Sequence, residues 1–182
     1  MAVLFTVVFF FLVVQRIAEL RLARKNEKWM KDRGGIEKGN EHYKYIVMLH
    51  VAFLVAVATE TAIRGFTLSM IWIYMLGVFL LAQLLRVWTI RSLGRFWNTK
   101  IIVLPEAEVV AKGPYRFIRH PNYFIVALEI VTLPLIFSSY LTAILFTILN
   151  AALLLRIRIP AEEQALKEAT NYSAVFMDTN KN

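Results

Sequence analysis

The chain has 182 residues, 58% hydrophobic and 19% charged, with 21 Lys and Arg against 13 Asp and Glu for a net charge of +8. That apolar fraction is well above the roughly 45–50% of ordinary soluble domains, and almost nothing is left to make the polar surface of a soluble helical bundle. Cysteine is absent, which excludes disulfides, thiolate metal sites and cysteine nucleophiles together.

In chain order, Ala2–Val14 carries no charge, and its apolar pattern continues through Gln15, Arg16 and Glu19 to about Leu22. This predicts a first helix over 2–22. No basic stretch precedes it and no small-residue cleavage site follows, so it reads as a retained helix and not a signal peptide. Residues 24–43 read as a solvated basic connector turning at Gly34-Gly35, with Glu41 and His42 its chemically richest residues. A second helix is expected over 43–63, with His50 as a hydrogen-bonded core histidine. Phe66–Leu85 is twenty residues without a formal charge and predicts a third helix over 67–90, ended by a cap at Gly94. Ile101–Leu104 is apolar and β-branched, suited to a short strand or an interfacial strip. Tyr123–Leu155 is long enough for two shorter spans, 122–136 and 139–158, broken near Pro134 and Ser138-Ser139. Pro160 should end or kink the fifth helix and open a short amphipathic segment to about Phe176. About 20 residues cross a hydrocarbon core of roughly 30 Å. The expected fold is therefore an all-α integral membrane domain over 1–182, with about five transmembrane helices. Residues 1–66 form an N-terminal helical hairpin and 67–182 a core.

Charge sets the expected orientation. Eight basic residues lie between the first two helices (Arg21, Arg24, Lys25, Lys28, Lys31, Arg33, Lys38, Lys44). Six lie between the third and fourth (Arg91, Arg95, Lys100, Lys112, Arg116, Arg119), and four follow the fifth (Arg156, Arg158, Lys167, Lys181). The opposite side holds only Arg64. The positive-inside rule then puts the N-terminus outside and the C-terminus in the cytoplasm, as five spans require. Because these cations flank membrane segments, anionic lipid headgroups are their expected partners and nucleic acid is not.

The ionisable residues of chemical interest gather on that same side. Gly113-Pro114-Tyr115-Arg116-Phe117-Ile118-Arg119-His120-Pro121-Asn122-Tyr123 is the densest run. Pro121 suits the first position of a helix, where its missing N–H has no intrahelical partner, so Arg119 and His120 fall at a helix N-terminus that favours an anion. Arg156–Glu163 follows the fifth span and carries Arg158, Glu162 and Glu163. Inside the spans, Gln83 and Arg86 share one helix face, as do Arg16 and Glu19. Glu129 has no partner on its own helix, and an intramembrane carboxylate of that kind pairs across helices or marks a site. No GxGxxG or Walker pattern occurs.

The run Gly113-Pro114-Tyr115-Arg116-x-x-Arg119-His120-Pro121-Asn122-Tyr123 resembles the signature of the isoprenylcysteine carboxyl methyltransferase family and its bacterial relatives. So do Leu93-Gly94-Arg95-x-Trp97 with Ile101–Pro105, and downstream Arg158-Ile159-x-x-Glu162-Glu163-x-x-Leu166. The resemblance covers about residues 75–176. It implies S-adenosylmethionine-dependent methyl transfer at the cytoplasmic face to a carboxylate or hydroxyl of a lipophilic small molecule. It also implies cofactor contacts at Tyr115, Arg119, His120, Pro121 and Tyr123, with Glu129 held as a further candidate. Arg158, Glu162 and Glu163 are the implied catalytic residues, with no metal. The chain departs from the family pattern at Ile125, where many relatives have Gly, and at Ala169-Thr170-Asn171-Tyr172, where the usual tail motif is shortened. Some bacterial relatives O-methylate alkylpyrones or alkylresorcinols made by type III polyketide synthases, an acceptor class that also fits. A sterol-type NADPH-dependent reductase shares part of the topology, but its larger cofactor calls for a longer C-terminal region. A transporter or scaffold would instead string polar residues along a path through the bundle.

Overall fold

A computed structural model describes residues 1–176 of the chain. Its helices are α1 (Ala2–Lys31), α2 (Asn40–Ile63), α3 (Trp72–Leu93), α4 (Pro121–Ile136), α5 (Tyr140–Leu153), α6 (Ile159–Ala169) and α7 (Tyr172–Phe176). Two three-residue strands, β1 (Ile36–Lys38) and β2 (Ile101–Val103), pair antiparallel with Glu37 opposite Ile102. Lys181, counted above in the basic flank, lies outside the described residues. Four helical stretches are long and apolar enough to cross a bilayer, and α4 is a shorter fifth. The expected all-α membrane architecture is the one the chain adopts.

At 16 residues, α4 is roughly 24 Å long and falls short of a hydrocarbon core. It can be short because it is the inner helix. Ile125, Ile130, Leu133 and Ile136 are all but fully buried, and α3 and α5 pack along it. The surrounding helices turn Phe10, Val51, Leu84 and Ile148 outward, as lipid-facing surfaces require when every backbone group is satisfied inside a helix.

Three boundaries differ from the sequence expectation. The first helix runs nine residues beyond Leu22, because Ala23, Asn26 and Met30 recur at helical spacing and are buried. Asn26 Nδ2 donates to the Trp97 carbonyl at 2.7 Å and Asn98 Nδ2 to the Ala23 carbonyl at 3.2 Å. Gly34, at φ +84°, then reverses the chain, and the Gly35 N–H returns to the Met30 carbonyl at 2.8 Å, where a Cβ would collide. The connector expected over 24–43 is therefore mostly helix and strand. The third helix starts at Trp72 and not at 67. Phe66, at φ +58°, closes the end of α2 through its N–H to Thr61, and the Ser69 N–H bonds the Ile136 carbonyl. Finally, the regular fifth helix ends at Leu153 and not at 158, while α6 opens at Ile159 with Pro160 in its first turn, as expected. A π turn over Leu154–Arg158 precedes α6. The wider turn accommodates a ring that would otherwise clash with the carbonyl four residues back.

At the end of the bundle away from the strands, the Glu60 carboxylate of α2 caps α5. It accepts from the Leu141 and Thr142 N–H groups at 3.2 and 2.8 Å and from the Thr142 hydroxyl at 2.7 Å. Three donors at a helix start converge on one carboxylate, which also complements the helix dipole. Glu60→Ala should therefore lower the unfolding free energy by about 1–2 kcal/mol in detergent titrations, and a stability equal to wild type would contradict this capping role.

Candidate active site

The site is assembled where α4 begins and α6 follows the π turn. His120 is the N-cap of α4 and Pro121 its first residue, so the missing proline N–H costs nothing there. The turn rotates Arg158 inward and sets Glu162 and Glu163 on the next helical turn, facing His120. His120 Nε2 lies 3.1 Å from Glu163 Oε1, and Nδ1 lies 3.9 Å from Glu162 Oε2. The Tyr123 hydroxyl donates to Glu162 in a short contact and accepts from Arg158 Nε at 3.0 Å. The His120 and Tyr123 rings stack with centroids 5.6 Å apart. Arg158 Nη2 donates to the Thr99 carbonyl at 2.7 Å, and the Thr99 hydroxyl lies 3.2 Å from that of Tyr43. On the far side of Glu163, the Tyr172 hydroxyl donates to its Oε1 at 3.2 Å.

Arg158 is 3% exposed, and its buried Nη1 has no hydrogen-bond partner among the described residues. A buried guanidinium nitrogen without an acceptor is costly unless something occupies it. Burial, and then the Glu163 carboxylate, pushes the Tyr172 phenol up to about 12. Burial, with the Glu162 charge added, also pushes Tyr115 upward. Both phenols therefore keep their protons at neutral pH.

From this cluster a cavity of about 300 Å³ runs inward between α1, α2 and α4, past Leu12, Phe53, Leu54, Val126 and Leu133. That volume is at the small end for a ligand pocket, and its apolar lining with few polar groups is typical of one. A second polar tier lies along it. Glu129 is eight residues into α4, roughly 12 Å deeper than the helix start. Its carboxylate accepts from Gln83 Nε2 at 2.8 Å, from Arg86 Nε and Nη2 at 3.0 and 2.5 Å, and from Arg16 in a short contact. Glu19 takes the remaining contacts, from Arg16 Nη1 at 2.7 Å and Arg86 Nη1 at 3.4 Å.

Of the residues singled out in the sequence, His120, Pro121, Tyr123, Arg158, Glu162 and Glu163 come together in one cluster, and Tyr115 lines the same cavity. Arg119 sits exposed at the rim, its guanidinium donating to the Phe176 carbonyl at 3.1 Å. Glu129 belongs to the deeper tier. Thr99 and Tyr43 join the cluster without having been foreseen, since Thr99 enters through its backbone carbonyl as well as its hydroxyl. A clasp holds them. Lys100 Nζ lies 2.9 Å from Glu27 and 3.1 Å from Glu37, which fixes α1 and β1 against β2. These hydrogen-bonded carboxylates are what raise the affinity of Lys100 for its proton.

A sequence model of the isoprenylcysteine carboxyl methyltransferase (ICMT) family matches residues 72–168. The chain is 45% identical over 157 residues to the uncharacterized protein YpbQ of Bacillus subtilis (strain 168), covering 86% of this chain and 93% of that one. It is 27% identical over 152 residues to an uncharacterized protein of Haemophilus influenzae, covering 83% and 88%. No solved structure matches.

Proposed function

This chain belongs to the isoprenylcysteine carboxyl methyltransferase family, which makes it methyltransferase-like and membrane-embedded, and we propose that it transfers a methyl group from S-adenosylmethionine to an oxygen of a lipophilic small molecule. The observation that carries the proposal is the buried Arg158 on the cavity wall, held by Tyr123 and Thr99, beside a His120 flanked by two carboxylates. These residues suit the cofactor. Glu162, Glu163 and the stacked His120–Tyr123 pair offer negative charge and ring faces to a sulfonium. The Asn122 N–H at the start of α4 offers a donor to a carboxylate, since Pro121 has none and those of Tyr123 and Phe124 are bonded to the His120 carbonyl. The cofactor, when bound, supplies an electrophilic methyl group.

The protein's own contribution is positioning. Arg158 is held by Tyr123 and Thr99, so its guanidinium charge has a fixed place on the cavity wall from which to orient the acceptor oxygen. Glu162 in turn holds the Tyr123 hydroxyl that accepts from Arg158. Tyr172 and His120 both donate to Glu163, fixing its carboxylate beside the site. The cavity takes the acceptor's apolar body and keeps water from the reacting end. In this reading the mouth faces the cytoplasm, where the cofactor is soluble, in line with the basic flanks. The N-terminus is then outside.

Titration of the protein in lipid nanodiscs with S-adenosylhomocysteine tests this directly. Micromolar binding is expected, weakened at least tenfold by His120→Ala through loss of the central contact. Binding of NADPH with none of S-adenosylhomocysteine would overturn the methyltransferase reading in favour of a reductase.

A further inference from the structure

His50 lies on α2, two turns beyond Tyr43 on the same face and roughly 10 Å further along the cavity, which it lines. Its Nδ1 is 2.7 Å from the Ile46 carbonyl. A carbonyl oxygen only accepts, so Nδ1 carries the proton and the neutral ring leaves Nε2 as a lone-pair acceptor. No donor from the described residues meets Nε2, and it is not sealed off from the cavity.

The neighbouring charged groups at this depth are already committed. Two guanidinium and two carboxylate groups, Arg16, Arg86, Glu19 and Glu129, cancel in charge, and every carboxylate oxygen among them accepts at least one hydrogen bond. The rest of the wall here is Leu12, Phe53, Leu54 and Val126. Gln15 Oε1 and Gln83 Oε1 also lack partners but are buried away from the cavity lining, so among the described residues that line the cavity at this depth the acceptor left open is the imidazole nitrogen. An open acceptor in an apolar cavity discriminates strongly, because a ligand without a donor leaves it unsatisfied.

We propose that His50 Nε2 receives a hydrogen bond from a hydroxyl on the amphiphile that fills this cavity, so the site selects a hydroxylated ligand over its ether. This rests on the reading of the cavity as the acceptor's site. The chemical class of ligand is an apolar chain bearing a free hydroxyl, and a carboxylate alone offers no such donor at neutral pH.

The test uses full-length protein in nanodiscs with para-dodecylphenol and its methyl ether para-dodecylanisole. Comparing the phenol-to-ether affinity ratio between wild type and His50→Phe cancels the difference in lipid partitioning. Wild type should favour the phenol about tenfold more than the variant does, the worth of one hydrogen bond. The nitrogen resonance of Nε2 in the labelled wild-type protein provides a second measurement that needs no variant. It should shift with the phenol and stay put with the ether. An unchanged ratio together with ether binding to both proteins, or an unmoved resonance at saturating phenol, overturns the role of His50 while the cavity reading stands. Failure of wild type to bind either probe overturns both.

Discussion

Arg86→Met is expected to destabilise the folded protein by about 3–5 kcal/mol, the largest effect on stability of any single change considered. Arg86 is 2% exposed and bonds Glu129 through two nitrogens and Glu19 through a third. Taking it away leaves Glu19 and Glu129 with only Arg16 between them, one uncompensated negative charge inside an apolar bundle. The protein cannot solvate that charge without opening the helices, so the cost exceeds that of a lost contact. Adding Glu129→Gln to Arg86→Met restores neutrality, and the pair should lose distinctly less than the sum of the singles. Reversible unfolding in mixed micelles reads both numbers. A single variant within about 1 kcal/mol of wild type would mean the cluster is not a stabilising device.

Glu163→Gln is expected to lower methyl transfer roughly a hundredfold with little change in fold stability. Glutamine keeps the shape and still accepts from His120 and Tyr172, so the packing of α6 on the site survives. What disappears is the negative charge beside the reacting centre, and in a site shielded from water that charge counts for more than in bulk. Glu168→Gln serves as the matched control. Glu168 is on the same helix but half exposed, accepting from Gln164 Nε2 at 2.9 Å and loosely paired with Lys38 at 3.7 Å, both away from His120, so its replacement should leave turnover unchanged. Equal losses in the two variants would assign the effect to helix α6 as a whole and not to the site.

Much of the architecture could be read from hydropathy because burial in a bilayer demands long uncharged helices, and such runs are visible in one dimension. The boundaries were less legible for the same reason. Hydropathy marks where a helix leaves the membrane and says little about where it ends, so the last turns of α1, which dock through Asn26 and Met30, read as a connector. Ile36-Glu37-Lys38 has no apolar run to mark it as a strand. Its conformation comes from pairing with β2 and from the lysines that clasp Glu37. Pro160 gave a correct warning that the fifth helix gives way and a new one opens there, but not the form of the join, a widened turn ahead of the proline.

The candidate site divides along similar lines. His120 and Pro121 announce a helix start, and Arg158 with Glu162 and Glu163 follows a span, so both halves stand out as polar residues at membrane edges. That they meet at hydrogen-bond distance depends on how the hairpin of α4 and α5 folds back, which no local pattern encodes. The deeper tier is a sharper case. Helical spacing paired Arg16 with Glu19 and Gln83 with Arg86, yet the residue joining the pairs is Glu129, on a third helix. Thr99 took part through a backbone carbonyl, for which side-chain chemistry gives no signal.

The central claim is that the cluster around His120 and Arg158 directs a methyl group to a lipophilic acceptor. The most direct measurement incubates the nanodisc-embedded protein with S-adenosylmethionine labelled in its methyl group and a lipid extract, then counts label in the organic phase. Label should enter that phase with wild type, fall roughly a hundredfold with Glu163→Gln, and remain at wild-type level with Glu168→Gln. No transfer by a wild-type protein that binds the cofactor-derived S-adenosylhomocysteine, across extracts of hydroxyl- and carboxyl-bearing lipids, would contradict the account.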